Sequence, residues 1–138
     1  MNYKELKILY LQTTYTAHTP KQIFNIRIDE TNKAFQKWLS KNNIQTWTMM
    51  TAANPRSHAL PEEKNVERNI NFEQRLQREQ LIYSRSEGIP DDLSWTTEVG
   101  FFILNIDLDF AKVLASSVEQ NAIIFGRVGE PTELVWVN

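Results

Sequence analysis

The chain has 138 residues, 41% of them hydrophobic and 23% charged, the size and balance of one globular domain able to bury a core without staples. It contains no cysteine, which excludes disulfides, thiolate nucleophiles and thiolate-held zinc or iron–sulfur centres, and its two histidines, His18 and His58, form no ligand-spaced pair. Fifteen basic against 17 acidic residues, a formal charge of −2, give no surplus for strong non-specific nucleic-acid binding.

Residues 1–7 are charged and lack the apolar core of a signal peptide, and Tyr3, Leu6, Leu9 and Tyr10 fit one face of a short helix. Residues 13–17 favour a strand, because Thr and Tyr crowd a helix but suit a pleated surface. After a turn at Pro20, residues 23–28 read as a second strand, and the two are placed to pair as a hairpin. Asp29 or Thr31 is expected to cap the next helix, whose apolar stripe is Ala34, Phe35, Trp38 and Leu39 and which Asn42-Asn43 ends. Residues 46–52 form an apolar strand, expected to be central, that runs into a loop over 53–60.

Pro61 suits the first turn of a third helix, with Glu62 and Glu63 against its positive end, and the pattern continues to residue 80. Residues 81–86 read as a strand, 88–92 as a turn-rich loop and 98–106 as the clearest strand in the chain. Asp107 or Asp109 is expected to cap a fourth helix that turns Phe110, Val113, Leu114 and Val118 inward. Residues 122–127 and 133–136 close as a pair around Gly129-Glu130-Pro131. No regular β-α-β alternation appears, so the predicted fold class is α+β: a single domain over residues 1–138, with a mixed or mainly antiparallel sheet of about 5–7 strands and about four helices packed on it. The longest strongly apolar stretch, residues 99–104, is too short to cross a bilayer, and a soluble, cytoplasmic protein is expected.

Binding groups concentrate where a rigid strand runs out into a loop, and Thr51-Ala52-Ala53-Asn54-Pro55-Arg56-Ser57 is such a place. Pro55 is expected to push Asn54 toward an extended backbone from which its amide projects, although an Asn-Pro turn serves equally as punctuation. On the following helix Asn65, Asn69, Phe72 and Leu76 share one stripe, so the two asparagines either tie the loop down or line a pocket beside it. A competing register turns Val66 and Ile70 inward and puts the asparagines at the rim.

Trp95-Thr96-Thr97-Glu98 leads into the strongest strand. A carboxylate desolvated there would have a raised pKa suited to acid–base work, whereas one at the sheet's edge is simply solvated. Gln120-Asn121 follows the last helix, with Asn121 a natural helix stop and Gln120 free to point either way. Capping explains Asp107-x-Asp109 without a magnesium ion, and Gly126-Arg127-Val128-Gly129 reads as a hairpin rather than a phosphate loop. Arg68, Arg75 and Arg78, interleaved with Glu67, Glu73 and Glu79, read as a solvated helix face.

Several of these residues form one larger pattern between about residues 10 and 136: Tyr10 with Thr13 and Tyr15; Thr51-Ala52-x-Asn54-Pro55-x-Ser57 with Leu60 and Asn65; the 88–95 segment with Glu98; and Gln120-Asn121-Ala122-Ile123. The pattern resembles a bacterial family of unknown function, domain of unknown function 3293. Two positions depart from it: Ala53 stands where an aromatic residue is expected, and Gly100 where a small hydroxyl residue is. The resemblance implies that Asn54, Asn65, Glu98 and Gln120 belong together, and it implies no activity.

The functional expectation is a site for a small polar metabolite, nucleotide-like in one version. Thr51, Asn54, Asn65, Asn69, Glu98, Gln120 and Asn121 would supply directional hydrogen bonds and Trp95 an apolar wall. Glu98 is the candidate acid or base, and no cofactor or metal is implied. The rival is a protein-interaction domain that offers the 126–136 hairpin edge, with Trp136 and Val137, for strand addition or homo-oligomer formation. Nucleic-acid binding ranks third, and no membrane association is expected.

Overall fold

The computed structural model describes residues 2–137, which contain four α-helices and one sheet of seven strands. Helix α1 (Tyr3–Leu11) starts where the Asn2 side chain accepts the Glu5 N–H, and it leads into the hairpin of β1 (Thr13–His18) and β2 (Ile23–Ile26). Helix α2 (Lys33–Lys41) is capped by Asn32, whose Oδ1 accepts the Phe35 N–H at 3.0 Å. The cap is therefore neither Asp29 nor Thr31; Asp29 sits instead at φ 67, in the turn before the helix. Phe35 and Leu39 are buried, Ala34 faces solvent, and Asn43 ends the helix at φ 58.

Strand β3 (Thr46–Met50) is followed by the loop, helix α3 (Glu62–Arg78), β4 (Ile82–Pro90), β5 (Glu98–Leu104), helix α4 (Leu108–Ser117), β6 (Ala122–Arg127) and β7 (Glu133–Trp136). The sheet order is β2-β1-β4-β5-β3-β6-β7, and every pairing is antiparallel. Residues 88–90 belong to β4 rather than to a loop, because they pair with β1. Pro90 is tolerated there because β5 begins opposite Gly88, so one side of the ladder at Pro90 is free and a missing N–H need cost nothing. On α4 it is Asp107 that caps, accepting the Phe110 N–H at 2.8 Å. Ala111, Leu114 and Ala115 turn inward, while Val113, a quarter-turn from Leu114, is 55% exposed.

Side chains alternate between the two faces of the sheet, and each face has its own core. Phe24, Ile26, Trp47, Met49, Phe102 and Ile124 pack against Phe35 and Leu39 of α2 on one face. Met50, Phe101, Ile103 and Ile123 pack against Phe72 and Leu76 of α3 and Leu114 of α4 on the other. Central β3 contributes to both, which is why it reads as continuously apolar. No described helix is long and apolar enough to cross a membrane.

Trp47 sets a further constraint. Its ring lies so close to Gly126, the neighbour in β6, that a Cβ there would fall 2.2 Å from Cε2. Among the described residues its indole Nε1 is a buried donor without a partner. Gly126→Ala is expected to lower the unfolding free energy by about 1–3 kcal/mol through overpacking, seen as a lower urea midpoint with an unchanged slope.

Candidate functional site

The first half of the 51–60 loop is held largely by side chains. Thr51 Oγ1 donates to the Val99 carbonyl at 2.6 Å and accepts the Ala53 N–H at 3.0 Å. Asn69 accepts the Ala52 N–H at 3.0 Å and donates to the Val99 carbonyl at 3.1 Å. Arg68 donates to the carbonyls of Ala52 and Val118, and Gln120 Nε2 to the Ala53 carbonyl at 3.0 Å. A loop carrying three buried residues, Thr51, Ala52 and Ala53, would otherwise strand its backbone polar groups. These bonds select the register in which Asn65, Asn69, Phe72 and Leu76 face inward and leave Val66 and Ile70 each 51% exposed. They also remove Arg68 from the solvated charged face that the sequence suggests.

Asn54 is the centre of the arrangement. Its N–H donates to Asn65 Oδ1 at 2.9 Å, and its own Oδ1 accepts from Leu60 N at 3.0 Å and Asn65 Nδ2 at 2.8 Å. Because the backbone N–H of Leu60 can only donate, the group it meets must be the amide oxygen. The amide nitrogen is thereby directed at Glu98 Oε2, 2.9 Å away. The backbone departs from the extended form expected before proline: Asn54 lies at φ 47, ψ 64, and Arg56 and Ser57 also have positive φ. Asn tolerates the left-handed region better than most residues, and the hydrogen bonds on both sides of Asn54 over-determine the conformation.

Glu98 opens β5 beside a cavity of about 60 Å³ whose wall also includes Tyr10, Tyr15, Thr51, Ser86 and Gln120. The sheet register explains the hollow. Tyr15, Gly88 and Glu98 lie side by side across β1, β4 and β5, and Ala17, Ser86 and Gly100 form the next row on the same face. A Cβ on Gly88 would sit 3.4 Å from the Tyr15 ring, in ordinary contact, so the ring lies directly over this position on the sheet. At Gly100 a Cβ would come 2.6 Å from the Met50 carbonyl oxygen, so the small hydroxyl residue of the family pattern has no room in this chain. Small residues at these positions make the depression that Tyr10 and Tyr15 wall.

Burial raises the proton affinity of all three acids here. It pushes Glu98 above its ordinary value of 4.5, with the Asn54 hydrogen bond pulling the other way. Burial and then the Glu98 charge push Tyr10 up to about 12, against a hydrogen bond with Ser57. Tyr15 is raised further, first by burial and then by Tyr10. No Lys, Arg, His or Asp lines this cavity. Among the described residues, Glu98 Oε1 accepts no hydrogen bond, and no group of three or more His, Asp or Glu is placed to hold a metal.

Of the residues singled out in the sequence, Thr51, Glu98 and Gln120 line the cavity. Asn54, Asn65 and Asn69 stand behind it and hold the loop. Asn121 donates to Ser57 Oγ at 2.9 Å and faces a second, outer cavity. Trp95 is 49% exposed in the turn between β4 and β5 and lines neither. Tyr10 and Tyr15, which wall the cavity, are not among the residues that sequence reasoning assigns to the site.

Fold and site define an α+β protein with a partly buried carboxylate in a small, phenol-walled cavity. The family model described as "Protein of unknown function (DUF3293)" matches residues 50–123, more than half of the chain, and the chain belongs to this family. The match covers the loop, Glu98 and Gln120, while Tyr10 and Tyr15 lie before it. No curated protein and no solved structure matches the chain.

The Glu98 pKa has a consequence for stability. A raised native pKa means that the folded state binds the proton more tightly than the unfolded chain. Stability therefore falls as pH rises from the ordinary Glu value through the native one. Glu98→Gln keeps an oxygen for Asn54 and removes the titration, so it should match or exceed the wild type above that window and flatten the pH profile within it. Glu98→Ala leaves the Asn54 amide unpaired and should cost about 1–3 kcal/mol. Urea unfolding of the three proteins across pH 4–9 (roughly the span in which carboxylates and histidines titrate) checks both.

Proposed function

We propose that this protein binds a small polar ligand in the Glu98 cavity, with Glu98 as the group that gives or takes a proton if the ligand is transformed. One observation carries the reading: a desolvated carboxylate has one oxygen held by Asn54 and the other unpartnered at the wall of a cavity. That oxygen is open to the cavity rather than sealed in the core, so it is available to a partner from outside, and a carboxylate of raised proton affinity at a cavity wall is a marker of functional sites. Gln120 and Thr51 belong to the same wall. Thr51 and the Asn54–Asn65–Asn69 set supply rigidity, which a site needs as much as it needs contacts.

Size narrows the ligand. A cavity of about 60 Å³ admits a group of a few heavy atoms, well short of the ~300–1,000 Å³ of typical small-molecule pockets. A nucleotide would place only one edge of its base inside. Phenols that hold their protons and a carboxyl whose proton affinity is raised by burial suit an uncharged hydrogen-bonding group such as a carbonyl or amide. The interaction reading has weaker support, because Trp136 is already packed against Tyr3 and Tyr10, with ring centroids 4.6 and 5.9 Å away.

A thermal-shift screen of small uncharged amides, ureas and carbonyl compounds tests the proposal. At a hundred times its dissociation constant a true ligand adds about 2.7 kcal/mol. The shift should disappear in Glu98→Gln and weaken in Tyr10→Phe, which keeps the ring and drops the hydroxyl. A screen without hits, or a hit indifferent to both substitutions, would rule the site out.

A further inference from the structure

Next to the Glu98 cavity lies a larger one of about 370 Å³, bounded by Arg56, Ser57, His58 and Asn121 on one side and by Asn2 and Leu6 on the other. The two are neighbours: Ser57 of the outer cavity is near enough to Tyr10 of the inner wall to pull its pKa down, and Asn121 follows Gln120 in the chain. Their chemistry differs sharply. The inner cavity has no basic residue, whereas the outer one has an arginine and a histidine and no acidic residue.

Two side-chain donors of the outer cavity, on Arg56 and Asn2, are uncommitted among the described residues. Arg56 approaches Glu119 only through Nε, at 3.8 Å, and its guanidinium makes no hydrogen bond among the described residues. Glu119 is shared with Arg68, 3.7 Å away, so two guanidinium groups face one carboxylate. Asn2 uses its oxygen to cap α1, which leaves its amide hydrogens for another acceptor. The loop holds these groups firmly: Arg56 N–H donates to the Glu119 carbonyl at 2.6 Å, Ser57 N–H to the Asn54 carbonyl and His58 N–H to the Pro55 carbonyl, each at 3.0 Å. Arg56 and Ser57 keep left-handed backbones, at φ 51 and φ 62, which are costly for such residues.

A pocket of this volume rich in donors, with an arginine available for bidentate contact, is complementary to an oxyanion. We infer that the outer cavity is an oxyanion subsite that receives a phosphate or carboxylate group of the ligand whose uncharged end enters the Glu98 cavity. The inference rests on the pocket reading above for the inner end alone. It assigns the ligand to a class: a small acid with a neutral hydrogen-bonding terminus, reaching from Arg56 past Ser57 toward Glu98.

The test is a titration of the ¹⁵N-labelled chain with inorganic phosphate and, separately, with acetate, at constant ionic strength. Saturable amide shifts should centre on Arg56, Ser57, His58 and Asn121 with one anion or both, and which one tells phosphate from carboxylate. Arg56→Gln changes an exposed side chain and should weaken that binding about tenfold, the loss expected for a charge-assisted contact. Glu119→Gln removes the competing carboxylate and should strengthen it. Shifts that are absent for both anions, or that persist unchanged in Arg56→Gln, overturn the subsite. A chain that binds phosphate here but takes no uncharged ligand keeps the subsite and loses the inner-pocket reading. One that takes the uncharged ligand and ignores both anions does the reverse.

Discussion

The candidate site depends on the backbone N–H and side-chain amide of one residue, Asn54. Its N–H, its carbonyl oxygen and its amide nitrogen all have partners, on α3, on the loop itself and on β5. Each such bond contributes about 0.5–1.5 kcal/mol net, so together they offset the roughly 1–3 kcal/mol of a left-handed residue before proline. The chain therefore turns sharply out of β3 and brings Arg56 and Ser57 toward α1. The same amide fixes one oxygen of Glu98 and leaves the other at the cavity wall. Rigidity in the loop and availability in the carboxylate come from one group.

The sheet supplies the space. Antiparallel neighbours put residues of like facing in rows, and two rows here are built on Gly88, Ser86, Ala17 and Gly100. Larger side chains would fill the hollow, and at Gly100 even a methyl group collides with the β3 backbone. Further along the same face the side chains become Phe102, Met49 and Trp47, and the hollow gives way to packed core under α2. Cavity and core are thus two ends of one surface, separated by residue size alone.

Much of this was legible in the sequence where local chemistry decides the structure. The two hairpins follow from strand-forming residues flanking a turn, and a cap at Asp107 or Asp109 from their position before an apolar helix; geometry then selects Asp107. The choice between the two registers of α3 was not legible, since Asn65 and Asn69 face inward only because the loop amides across from them need partners. Arg68 was misjudged for the same reason. Strand β4 runs through Gly88 and Pro90 because β1 lies alongside, a pairing across more than 70 residues that leaves no mark on the local pattern. In the site, Thr51, Glu98 and Gln120 could be named because a loop and a strand end announce them. Tyr10 and Tyr15 could not, because the β1–β4 pairing alone carries Tyr15 toward Glu98.

The energetic sense of the arrangement runs against stability. A carboxylate moved from water into a cavity among phenols loses solvation, and one hydrogen bond from Asn54 does not restore it, which is why its proton affinity stays raised. A glutamine at this position would keep the Asn54 contact without that cost. The Glu98 charge in turn makes ionisation of both neighbouring phenols less favourable, Tyr10 and Tyr15 alike. A chain selected for stability alone has no use for an acid there. The cost is accounted for if this carboxyl group is something a ligand meets, and the arginine of the outer cavity lies beyond Ser57 and Asn121, outside the Glu98 wall.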